Sequence, residues 1–146
     1  MRFILFIFTV LIIGCGSDIG RDYHLDEHSF DANSLKIIEE RTNITFPQGA
    51  RGLNMFYQGT SIDPSILAKI QIPTSEYQMF KKQLEKIPNS RGGINASSLT
   101  GKVTWWNPSE STLIMERLFN QEMNGVHVMF CKEHDRFILY VIWIKV

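Results

Sequence analysis

Two histidines four residues apart, His24 and His28, with Asp26 and Glu27 between them, come closest in this sequence to a reactive centre. On a helix that spacing puts both imidazoles on one face, where they can share a zinc ion while the glutamate activates a bound water. The other candidate groups are scattered. His127 alternates with Val126 and Val128, so it faces the opposite side of a strand from them, and Glu116 and Asp135 are the carboxylates that could approach it. His134 belongs to a turn. Ser61, Ser65, Ser97 and Ser109 lie in no strand-turn-helix setting that would present a nucleophile, and a hydrolase needs a positioned nucleophile and base. Gly49-Ala50-Arg51-Gly52 and Arg91-Gly92-Gly93 lack the following helix whose amides would cradle phosphate.

The order His-x-x-Glu-His is that of the inverted zinc peptidases, but the resemblance stops at the pattern. Those enzymes resemble large chains with a further ligand from a second helix, whereas here the motif sits in a polar stretch with no apolar face to pack. His24 and His28 are therefore expected to be solvated. No metal, cofactor or catalytic residue is assigned, and the chain is expected not to be an enzyme.

Met1-Arg2 is a short positive start, and Phe3 to Ile13 is an apolar run interrupted only by Thr9, the length of a signal-peptide core and too short to span a bilayer. Ile12-Ile13-Gly14-Cys15 at its end resembles the lipobox of bacterial lipoproteins. The resemblance implies a signal peptide over residues 1–14, acylation of the Cys15 thiol and cleavage just before it. Several acyl chains on one residue would hold a protein stably on a membrane. Gly16 and Ser17 follow the cysteine, with Asp18 one position later. By the same resemblance this favours an outer-membrane anchor facing the periplasm over retention in the inner membrane. With Cys15 consumed by lipid, Cys131 has no disulfide partner and is expected to be a small buried hydrophobe.

Fifteen basic residues balance fifteen acidic ones, and loss of Arg2 with the signal leaves a slight acidic excess. A nucleic-acid partner is excluded on that balance, because such domains carry a basic surplus to displace counterions from phosphate. About 130 residues would remain after cleavage, enough for one domain with a hydrophobic core and too few for two.

The elements that must position any site follow from periodicity. Residues 15–33, beginning with the lipidated cysteine, are mostly polar or charged and are expected to form a tether, with a single globular domain over 34–146. Leu35 to Arg41 is expected to be a short helix capped by Asn33 or Ser34. Leu53, Met55 and Tyr57, and then Ile66, Ala68, Ile70 and Ile72, alternate with polar residues, which predicts two strands joined by a turn. Pro73-Thr74 opens a helix with Tyr77, Phe80, Leu84 and Ile87 on one face, and Pro88 stops it. Asn89 to Lys102, rich in Ser, Gly and Asn, predicts a long loop leading into Trp105-Trp106-Asn107-Pro108. Three more strands follow, over Leu113–Phe119, Val126–Cys131 and Phe137–Val146. The last is apolar on both faces, as a central strand covered on both sides must be. Glu133-His134-Asp135-Arg136 leaves room only for a hairpin. The expected fold is α+β: an antiparallel sheet of about five strands with two helices packed on one face.

This layout, with Thr45-Phe46-Pro47-Gln48-Gly49-Ala50 after the first helix and a terminal Leu139-Tyr140-Val141-Ile142-Trp143, resembles small uncharacterised bacterial lipoproteins, and it brings no catalytic residues with it. Some lipoproteins of this size are immunity proteins against toxins delivered to the periplasm. Trp105 and Trp106 are the candidate recognition pair, since neighbours on an extended segment point opposite ways and one of them can face a protein partner in the envelope. The competing reading has both indoles packed beneath the loop, sealing the sheet. Arg91 in the Gly-rich loop could capture an anionic group, although a loop arginine is by default simply solvated. The expected function is a membrane-tethered, non-enzymatic interaction module. The alternatives are a ligand-binding or envelope-maintenance lipoprotein and, third, a metal-dependent hydrolase.

Overall fold

The computed structural model describes residues 20–60, 62–90 and 92–146. The expected signal segment, Cys15 and Arg91 lie outside the described residues. Six strands form one antiparallel sheet: β1 (Tyr23–Asp26), β2 (Arg51–Gln58), β3 (Ser65–Ile72), β4 (Thr112–Gln121), β5 (Asn124–Glu133) and β6 (Arg136–Ile144), in the spatial order β1-β2-β3-β6-β5-β4. The fold is α+β, as the periodicity predicts. Two three-stranded meanders, each built from consecutive strands, meet where β3 pairs with β6.

Because side chains alternate across a strand, β3 and β6 present two different surfaces. Ile66, Ala68, Ile70 and Ile72, with Leu139, Val141 and Trp143, face the main core, where Ile38 of helix α1 (Ala32–Thr42) and Phe80 and Leu84 of helix α2 (Tyr77–Glu85) cover them. Aromatic contacts fix α2 on the sheet: Tyr77 stacks on Phe137 at 4.2 Å, and Phe80 meets the Phe130 ring edge-on at 5.4 Å. Leu67, Ile138, Tyr140 and Ile142 face the other way and are buried as well. Their cover is the long loop, which contains one short helix, α3 (Ser97–Thr100), and returns across the sheet through Trp105-Trp106. The two-sided apolar pattern of the last strand is thus explained by helices on one face and a loop layer on the other.

The polar stretch before residue 34 is not a tether throughout. Tyr23 and Leu25 pack against the core while His24 and Asp26 point outward, which makes β1 an edge strand paired with β2 and gives the sheet its sixth member. Phe30 is buried against Gly52, where a Cβ would lie 2.1 Å from the Phe30 Cγ, so β2 needs glycine there. The first helix also starts earlier than expected. Its cap is Asp31, whose Oδ1 accepts from the Ser34 amide at 2.9 Å and from the Ser34 hydroxyl at 2.8 Å.

Candidate functional site

The loop-covered face carries the polar chemistry. Lys69 shares its side of β3 with Leu67, and packed between Glu133 and the Tyr140 ring it is only 9% exposed. Its ammonium lies 3.0 Å from Oε1 of Glu133, the last residue of β5, and 5.1 Å from the centre of the Tyr140 ring on β6. The same Glu133 oxygen accepts from the Tyr140 hydroxyl and from the Ser111 hydroxyl at 3.2 Å, while Oε2 lies 3.8 Å from the Arg136 guanidinium. Burial pushes the Glu133 carboxyl upward, but the donors Tyr140, Lys69 and Ser111 outweigh it and hold the group below its usual range. Burial, reinforced by that neighbouring carboxylate, drives the Tyr140 phenol far above its usual value. The Tyr140 hydroxyl is also 3.0 Å from Asn107 Oδ1, and Asn107 Nδ2 donates to Glu110 Oε2 at 2.8 Å.

Each of these groups is engaged by another, and together they form a clasp. Asn107 and Ser111 flank the 3-10 turn Pro108–Glu110, and through Tyr140 and Glu133 they tie that turn to the floor of the sheet. The ion pair also separates two surface cavities. One, of about 380 Å³, is lined by Asp26, His28, Asn54, Lys69 and Arg136; the other, of about 220 Å³, is lined by Asn107, Ser111, Lys132 and Glu133.

The clasp positions the tryptophans directly before it. Trp106 meets the Tyr140 ring edge-on at 5.1 Å, and Trp105 meets Trp106 edge-on at 5.9 Å. Both indoles are half-buried and both pack on the same side of the sheet, against the cluster of Phe56, Leu67 and Ile142. They do not split between core and solvent as an extended dipeptide would, because the chain bends at Thr104-Trp105 and is not extended there. Most of each tryptophan is spent on sealing the loop layer, and the rest remains at the surface.

No match was found to a protein-family model, to a curated protein or to a solved structure. The remaining candidates rest on geometry alone. His127 Nε2 and Glu116 Oε1 are 2.6 Å apart, so of the two carboxylates that could approach this histidine Glu116 does. The pair lines a cavity of about 390 Å³ with Ser90, Gly92, Gly93 and Ile94 of the loop. His24 and His28 do not share a helical face. His24 is on β1, stacked on Phe56 at 4.5 Å, while His28 is in the following turn, 3.9 Å from Glu27. Among the described residues no group of three or more His, Cys, Asp or Glu side chains is arranged to hold a metal ion. Cys131 is fully buried, and burial pushes its thiol up to about 11.

Sequence reasoning passed over Lys69, Glu133 and Tyr140 as a unit. One signal was available: a tyrosine inside a strand that is apolar on both faces must find a partner for its hydroxyl.

Proposed function

We propose that this chain is a lipoprotein of the bacterial cell envelope, anchored through lipid on Cys15, whose folded domain is a non-enzymatic module that binds a protein partner. The anchor rests on Ile12-Ile13-Gly14-Cys15 at the end of the apolar run. The interaction surface rests on one observation: the clasp of Lys69, Glu133, Tyr140 and Asn107 fixes a Trp-Trp segment at the surface with both rings half-buried. Rigid aromatics held by a buried polar network lose little entropy on binding, which is how interface hot spots are commonly built. The sharpest form of this reading is immunity against a toxin delivered to the periplasm. A ligand-binding or envelope-maintenance role is the second reading, favoured by the cavity of about 580 Å³ beside β1 that Tyr23, Leu25 and Ile37 line.

Affinity capture with the mature chain lacking lipid, alongside Trp105→Ala and Trp106→Ala variants verified as folded by circular dichroism, tests the first reading. One specific envelope or secreted protein held by wild type and lost at least tenfold in either variant is the expected result. Capture that both variants retain, or none at all, rejects the Trp surface and turns attention to the cavity.

A further inference from the structure

The described residues that expose most of a large apolar side chain include two at turn tips, Ile62 at 98% and Met123 at 84%. Both turns lie at the same end of the sheet. Ser65, just after the first turn, and Gly125, just after the second, pair with the same β6 residue, Ile144. The chain also enters the domain at this end. Tyr23 pairs with Tyr57, and Asp22 Oδ1 accepts from the Gly59 amide at 2.9 Å, the Thr60 amide at 3.1 Å and the Thr60 hydroxyl at 2.8 Å. The opposite end of β6 is capped instead by the polar pair His134-Asp135.

Met123 is also a poor choice for its turn. Glu122 and Met123 both have positive φ, 50° and 68°, in a two-residue hairpin where Asn-Gly fits without strain. Local folding does not account for a methionine there, and its side chain is spent on no internal contact that would compensate. Only four residues separate Cys15 from Gly20, and the five steps between them span no more than about 18 Å fully extended. Lipid on Cys15 therefore keeps this end of the sheet at the membrane.

Resting on the anchor reading above, we infer that Ile62 and Met123 form a second, non-covalent contact with the same bilayer, two apolar tips seated in its interfacial region that set how the domain stands on the membrane. Arg21, Lys102 and Lys145 at this end are matched by Asp22, Asp63 and Glu122, so the contact is apolar in kind, insensitive to salt and to anionic lipid. With the tips in lipid, the opposite end of the sheet, carrying His134-Asp135, points away from the bilayer.

The test uses the acylated chain, purified in detergent and reconstituted into phosphatidylcholine vesicles with and without phosphatidylglycerol. Ile62→Cys, Met123→Cys and, as the distal control, His134→Cys variants are each labelled with an environment-sensitive fluorophore; Cys15 is acylated and Cys131 is buried, so neither competes. The expected result is a several-fold rise in emission and quenching by spin-labelled lipid at positions 62 and 123, equal in both vesicle types and in high salt, with neither effect at 134. If vesicles float with the protein but labels at 62 and 123 behave like the one at 134, the tip contact is rejected and the anchor stands. Emission that rises without lipid quenching points to a protein surface and also rejects it. Failure of the acylated chain to float removes the anchor reading and this inference with it.

Discussion

Helices cover one face of the sheet and a loop layer covers the other, and the two faces are built from different chemistry. Under α1 and α2 the contacts are apolar and aromatic, with Ile38, Ile70, Leu84, Phe130 and Val141 all essentially inaccessible. Under the loop the apolar residues fall into two small clusters, and the Lys69–Glu133 ion pair lies against the one that holds Ile138 and Tyr140. A helix brings a continuous apolar stripe that can be matched to a sheet, whereas a loop brings backbone polar groups that must be satisfied, so it is docked through hydrogen bonds. The helical face therefore carries the stability, and the loop face carries what can be specialised.

The same substitution on the two faces should show this most strongly. Leu84→Ala, beneath α2, is expected to cost about 4 kcal/mol, and Leu99→Ala in α3 about 2 kcal/mol, because a four-residue helix in a loop can settle into the vacated space. Urea denaturation at neutral pH measures both, and equal losses would mean that the loop layer is as much core as the helices. Next in size is the clasp. Lys69→Met leaves the Glu133 carboxylate short of its cation and is expected to cost about 2–3 kcal/mol, with part of that recovered when Glu133→Gln is added. A double variant no better than the single one would show that the pair is not coupled.

Acid should act on the same group. The Glu133 carboxyl lies below its ordinary value of 4.5 in the folded protein, so its contribution is present above that pH and is lost as pH falls through the lower folded value. The stability difference between wild type and Glu133→Gln should accordingly narrow below pH 4.5, and a constant difference would place the effect elsewhere. The smallest expected signal is chemical. Cys131 should stay unreactive to a thiol-disulfide reagent at pH 8 until denaturant is added, since burial keeps its thiol protonated. Rapid native labelling would mean that the loop face opens readily.

Five of the six strands were legible because they alternate cleanly or, in β6, carry apolar residues on both sides. β1 was not. Four residues with two outward polar side chains give too short a period to separate from solvated chain, and its pairing with β2 is a tertiary fact. The helix cap moved to Asp31 for a similar reason: Asp31, Asn33 and Ser34 are all good caps, and burial of Phe30 against Gly52 decides where the chain turns. At the candidate site, Trp105-Trp106 stood out by composition, but Lys69 looked like an ordinary outward lysine. Nothing local announces that Glu133 and Tyr140, more than sixty residues later, will close around it.

The strand order also has a consequence for assembly. β3 is buried almost from end to end, yet one of its edges stays open until β6, the last of the six strands in sequence, arrives to pair with it from residues 137 to 144. The first meander on its own would present a flat apolar edge, a template for pairing with another chain. A polypeptide arranged this way cannot safely fold as it emerges, and it is best kept extended or shielded until the whole domain is free to close at once.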